Sequence, residues 1–162
     1  MLIDKIRKLA KDNKVMVFCD MDGVIAEYDT TKKHDIRNNV PNTYFNSRPL
    51  NHTISQLKKI KKIKNVEIGI LSACYFNEQK QEKLQWLKLH ANIFEDKNIN
   101  IVVYENETFT QKTKDLLKVN KILEIVKNKN VVPILIEDNH NIIEATNKVI
   151  KNCAVHVSKL ID

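Results

Sequence analysis

The chain has 162 residues, 43% of them apolar and 29% charged, with a net charge of +7, which is enough for one globular domain with a full core. No window approaches the ~20 apolar residues of a membrane span, and the amino terminus lacks the apolar core of a secretory signal, so a cytoplasmic protein with no membrane association is expected. Three cysteines and only two glycines exclude a disulfide framework, a Gly-rich dinucleotide fingerprint and a P-loop.

In chain order, residues 2–12 predict an amphipathic helix, with Leu2, Ile3, Ile6 and Leu9 on one side. Residues 15–20 form a buried apolar strand that ends in acid, Phe18-Cys19-Asp20-Met21-Asp22-Gly23-Val24. Residues 25–50 are irregular and polar, too long for an idle connection, and their aromatics speak against disorder. A helix is expected from Asn51, as N-cap, to 64. Its lysine-rich end, residues 58–64, carries isoleucines at helical spacing and reads as a solvated face rather than a nucleic-acid patch. A strand follows at 66–71, with Ser72 at its end, then a helix over 77–91 containing Trp86 as a packing residue. A third strand covers 100–104, and a polar stretch, 105–112, leads into a helix over 113–128. The fourth strand is 132–136, beginning at or after Pro133, which cannot donate to a ladder. A helix over 140–150 and a last strand over 153–157 complete the chain. Strands alternating with helices imply a parallel sheet covered on both faces. Cys19, Cys74 and Cys153 each sit in or beside an apolar run and are expected to be buried thiols.

Four groups of chemically useful residues fall at strand ends, where ligands of open α/β sheets bind. Asp20 and Asp22 end the first strand and Ser72 the second. Lys112 and Lys114 open the helix before the fourth strand, with Lys118 and Lys121 farther along it. Glu137 and Asp138 end the fourth strand. Clustered carboxylates are costly unless a cation or proton compensates them, which points to a divalent metal beside a nucleophilic aspartate.

Asp20-Met21-Asp22-Gly23-Val24 directly after a strand, followed in order by Ser72, a lysine and Asp138, resembles the haloacid dehalogenase (HAD) superfamily, whose members are mostly phosphatases. The resemblance covers nearly the whole chain. Ile70-Leu71-Ser72-Ala73 followed by Lys83-Leu84-Gln85-Trp86-Leu87 is similar to its deoxyribonucleotidase-type branch. The fold this implies is a Rossmann-like three-layer α/β/α sandwich, one domain over 1–162, with a mainly parallel five-stranded sheet and a short, open, loop-like cap insert at about 25–50. The activity implied is that of a Mg²⁺-dependent phosphatase working through an aspartyl-phosphate, with 5'-nucleotides as one substrate class. Asp20 is then the nucleophile and Asp22 the general acid and base. Ser72 binds a phosphoryl oxygen, and Lys114 or Lys112 balances the developing charge. Asp20, Asp22 through its carbonyl, and Asp138 are implied as metal ligands, with Glu137 acting through water or a neighbour. Gly23 and Ala73 would approach the phosphate, and Tyr44 and Arg48 of the insert, with Tyr28 and Phe45, could contact a substrate. The partner expected is a small phosphorylated metabolite or nucleotide, and the residues leave the oligomeric state open. Two other readings also stay open: a nucleic-acid-end phosphatase and a non-catalytic phosphate-binding regulatory protein.

Overall fold

The structure, a computed structural model, describes residues 1–104 and 111–161, and only the backbone of Gln111. Five strands, β1 (Lys14–Cys19), β2 (Val66–Cys74), β3 (Ile99–Val103), β4 (Val131–Glu137) and β5 (Ala154–His156), form one sheet in the order β3-β2-β1-β4-β5. All neighbours are parallel. The helices are α1 (Leu2–Leu9), α2 (Lys33–Arg37), α3 (Asn51–Lys61), α4 (Asn77–His90), α5 (Gln111–Val126) and α6 (His140–Val149).

Alternation along β1 divides the core. Val15, Val17 and Cys19 face Ile6 of α1, Leu57 and Ile60 of α3, and Trp86 and Leu87 of α4. Met16 and Phe18 face the other way, onto Ile122 of α5 and the apolar side of α6. The result is the expected α/β/α sandwich. All three cysteines are buried and unpaired with one another. No helix among the described residues is long and apolar enough to cross a membrane.

Three local expectations need correction. Pro133 lies inside β4, in register with Met16 of β1. The Leu135 N–H points to β5, donating to Cys153 O at 2.9 Å. Period two puts the Pro133 nitrogen on that same side, below the start of β5, where no ladder bond is lost. Asn51 is the first helical residue of α3 rather than its cap; Leu50 precedes the helix and no side chain caps it. β2 also runs past residue 71 to Cys74, so Ser72 is an interior strand residue. The stretch 105–110 lies outside the described residues.

The insert is not an open loop. Its neck is closed where Ala26 bridges Pro49, with Glu27 N–H donating to Arg48 O at 2.8 Å and Leu50 N–H to Ile25 O at 2.7 Å. Its body holds a short 3₁₀ turn and α2, and it is strapped to α4 by side chains of that helix. The Glu82 carboxylate accepts from the backbone N–H groups of Asn42 and Tyr44 at 2.6 and 3.1 Å. Gln79 Nε2 donates to Ile36 O at 2.6 Å, and Trp86 Nε1 donates to Ser47 O at 2.7 Å. Trp86 is fully buried, as expected of a packing residue.

Candidate active site

β1 and β4 are adjacent, so their carboxyl ends bring the two acidic pairs together although they lie more than a hundred residues apart. The Asp20 N–H donates to Ile136 O at 3.0 Å, extending the ladder by one residue and holding the Asp20 side chain at the sheet edge. The chain then turns back tightly: Ile25 and Ala26 N–H groups donate to Met21 O, and Gly23 N–H donates to Ala26 O at 2.8 Å. Gly23 has φ +76°, and a Cβ there would overlap the carboxylate of Asp138. Glycine thus serves the turn and the close approach of the acidic residue from β4.

Carboxylate oxygens of Asp20, Glu137 and Asp138 lie within 4.8 Å of one another. Buried lysines hold this acidic set on two sides. Lys118, from α5, bridges Asp20 Oδ2 at 3.0 Å and Glu137 Oε2. Burial opposes its charge, but the Asp20 and Glu137 carboxylates outweigh burial and raise its pKa. Lys83, from α4, is fully buried and donates to Asp22 Oδ2, to Ser72 Oγ at 2.9 Å and to Ala73 O at 3.0 Å. All three donors of its ammonium are used, and the Tyr44 ring of the insert covers it, with Nζ 4.3 Å from the ring centroid.

The two aspartates at the end of β1 differ electrostatically. Burial penalises Asp20, but the Lys118 and Lys83 charges overcome the penalty and hold it below the usual carboxylate range. For Asp22 burial prevails, reinforced by the Asp20 charge and opposed by Lys83, and its pKa rises. Carboxyl groups pushed apart in this way suit one nucleophile and one acid. Cys19, whose thiol donates to Asp20 O at 3.1 Å, is pushed well up by burial and by the neighbouring acids, which suits a packing role.

The donor set fits a hard divalent cation. Asp20 and Asp138 offer carboxylate oxygens, no imidazole or thiolate joins the described cluster, and oxygen-only sets suit Mg²⁺. Glu137 is committed elsewhere: Oε1 accepts from the N–H groups of Asp138 and Asn139, both at 3.1 Å, and Oε2 from Lys118. It therefore orients Lys118 and the Asp138 turn, and the side chains left to hold a cation are Asp20 and Asp138. Asp22 lies outside this cluster, with its side chain held by Lys83. Millimolar Mg²⁺, at about tenfold excess over its Kd, is expected to raise the melting temperature by about 3–6 °C. Asp138→Asn is expected to lose most of that rise, as read by thermal scanning with and without chelator.

The remaining expected residues divide. Ser72 and Ala73 line a cleft of about 310 Å³ with Asp20, Asp22, Lys118 and Asp138. The lysine of α5 that meets Asp20 and Glu137 is Lys118, not Lys112 or Lys114. Lys114 donates to Tyr75 OH at 3.4 Å, and Lys112 lines a separate groove between α5 and α6. Lys118 lies four residues, about one turn, farther along α5 than Lys114. Arg48 points to solvent, paired with Glu27 at 3.0 Å. Tyr44 is buried with its ring over Lys83, and it also lines a second cleft beside the first. Lys83 was absent from the expected catalytic set. Its signal is the spacing Gln79, Lys83, Trp86 and Leu87, a buried helical face that contains a lysine.

No family model matches the sequence, and no curated protein matches it. Solved structures do match its fold. A chain of the Pnkp1/Rnl/Hen1 complex aligns with TM-score 0.67 at 13% identity over 89% of this chain. A second structure, of the Pnkp1/Rnl/Hen1 RNA repair complex, gives 0.63 at 13% identity over 90%. This chain spans less than half of those two, 46% and 42%. The HAD domain of effector protein Lem4 from Legionella pneumophila aligns with TM-score 0.53 at 14% identity, over 88% of this chain and 84% of that one. At such identities the likeness is one of architecture: the chain has a HAD-like fold.

Proposed function

We propose that the protein is a Mg²⁺-dependent phosphomonoesterase acting through a phosphorylated Asp20, with nucleotides among its substrates. The observation that carries this reading is the meeting of Asp20 and Asp138 beside Lys118, with Asp22 held apart by its own lysine. The HAD-like fold supports it, and so does a fold shared with a protein of an RNA repair complex.

Asp20 and Asp138, with the carbonyl of Asp22, would hold the metal, which when bound supplies charge neutralisation between the nucleophile and the phosphate dianion. Asp20, kept ionised by Lys118, attacks phosphorus. The ester P–O bond breaks, and its electron pair leaves with the substrate oxygen, which takes the Asp22 proton. Water then attacks phosphorus, Asp22 accepts its proton, and the P–O bond to Asp20 breaks, restoring the carboxylate. Lys118 balances charge on the equatorial oxygens. Ser72 accepts from Lys83, which leaves its hydroxyl proton to donate to a phosphoryl oxygen. A panel of phosphate esters, assayed with Mg²⁺ and with chelator, tests the reading: metal-dependent release of phosphate supports it, and no release from any ester by the folded protein contradicts it.

Lys83 acts through Asp22 and Ser72 and is a positioning residue. In Lys83→Met the general acid loses its anchor. Turnover of alkyl phosphates, whose leaving oxygen needs a proton, is expected to fall about 10 to 100 times more than turnover of p-nitrophenyl phosphate, whose leaving group needs none. Equal losses on both esters would reduce Lys83 to a packing role.

A further inference from the structure

Beside the carboxylate cleft lies a second one of about 360 Å³. The two share Tyr28, Tyr104, Asn139 and Ile142 in their walls, so the second cleft is open to the leaving group of a substrate whose phosphoryl group faces Asp20. Four tyrosines line it, and three of them, Tyr28, Tyr75 and Tyr104, are at least partly exposed. Tyr75 and Tyr104 stand 5.3 Å apart between ring centroids at 47°, and Tyr28 is 47% exposed. Three cations join them: Lys33 and Arg37 from α2 of the insert and Lys114 from α5. The Lys114 ammonium lies 5.2 and 5.6 Å from the Tyr75 and Tyr104 centroids. Asp115 is the acidic side chain on the described wall.

A leaving group matched to this surface has a flat ring and negative charge of its own. A sugar phosphate has no flat aromatic ring to stack. In a phosphotyrosine the ring is bonded to the transferred phosphate's oxygen and stays in the first cleft, and the peptide beyond it carries no fixed negative charge. A nucleotide places its base a sugar's length from the phosphate and, in a polymer, carries a phosphodiester beyond it. Aromatic faces for bases, flanked by cations for the backbone, are the general means of holding single strands.

We propose that the Tyr28/Tyr75/Tyr104 cleft, with Lys33, Arg37 and Lys114, receives the terminal nucleotides of a phosphorylated single strand whose end phosphate reaches Asp20. This rests on the phosphatase reading of the Asp20 cleft and narrows its substrate to nucleic-acid ends. It also gives Lys114 a substrate-holding role in place of the charge-balancing one.

Two measurements test it. The first uses Asp20→Asn protein and a fluorescent oligothymidylate with a terminal phosphate, at the 3' or the 5' end, followed by anisotropy over a salt series. Binding is expected to weaken steeply with salt. Arg37→Gln and Lys114→Gln, made on the same background, should each lower affinity about 3- to 10-fold and reduce the salt slope by about one. Tyr28→Ala should lower affinity about fivefold or more without changing the slope. The second compares kcat/KM of the otherwise native protein for the same oligonucleotides, a nucleoside monophosphate, a phosphotyrosine peptide and p-nitrophenyl phosphate. The better oligonucleotide end is expected to exceed the others at least about tenfold, and the cleft substitutions to cost it more than they cost p-nitrophenyl phosphate. Preference for the phosphotyrosine peptide or the mononucleotide, or salt slopes unmoved by Arg37 and Lys114, would overturn the assignment. Cleft-dependent binding with no ester turned over would instead keep the cleft and remove the phosphatase reading.

Discussion

Asp20→Asn is expected to lower phosphate-ester turnover about 10⁴-fold or more, since the amide is no nucleophile and what remains is binding and electrostatics alone. The fold should survive the change. Asp20, Glu137 and Asp138 crowd within 4.8 Å of one another, and Asp20 shares the Lys118 ammonium with Glu137. Removing its charge relieves repulsion from Glu137 and Asp138 but gives up the attraction to Lys118 and Lys83 that holds Asp20 below the usual carboxylate range, while Lys118 keeps its bond to Glu137. In metal-free buffer the variant should therefore melt only a few degrees below wild type, and it should gain less from Mg²⁺. Turnover assays together with thermal scans check both parts. A variant that is inactive because it is unfolded would leave the repulsion argument without support, and one that retains activity would remove Asp20 from the chemistry.

Lys118→Met is expected to act on the fold and the reaction together. Lys118 is 4% exposed and Glu137 is fully buried, so losing the ammonium leaves two acids without their cation. Breaking a buried pair from one side costs about 3–5 kcal/mol, a large share of the roughly 5–15 kcal/mol that holds a domain together. Activity should fall about 10²- to 10³-fold even where the protein stays folded. Adding Glu137→Gln, which removes an acid that burial and the Asp20 charge already push up to about 8, should recover part of the stability, and so should Mg²⁺, which compensates Asp20. Urea denaturation of the single and double variants measures this. A loss below about 1 kcal/mol in the single variant would mean that the buried triad is not formed as described.

The meeting of the acids at the strand ends was legible because it depends on short-range pattern. An apolar run followed at once by Asp20 and Asp22, and another followed by Glu137 and Asp138, place the acids at the same edge of any parallel sheet. Alternating strands and helices gave the layers. The buried lysines were harder to see, because a charged residue counts against burial when a helix is read by period. Yet Lys118 stands four residues before the buried Ile122, and Lys83 four after the buried Gln79. A lysine on the inward stripe of a helix packed on an acidic edge is the usable sign. The packing of the insert was not legible at all. Glu82 holds it through main-chain N–H groups of Asn42 and Tyr44, and backbone donors look the same at every residue. Pro133 misled for a related reason, since its place in β4 is tolerated only because β5 starts late.

Rapid quench during turnover, reduction with borohydride and mass spectrometry of the peptide around residue 20 reads the covalent step itself. An acyl-phosphate on Asp20 is reduced to homoserine, so homoserine is expected at that position when substrate and Mg²⁺ are both supplied, and not when either is withheld. Steady release of phosphate with Asp20 recovered intact, or with another residue reduced in its place, would contradict the nucleophile assigned to the end of β1.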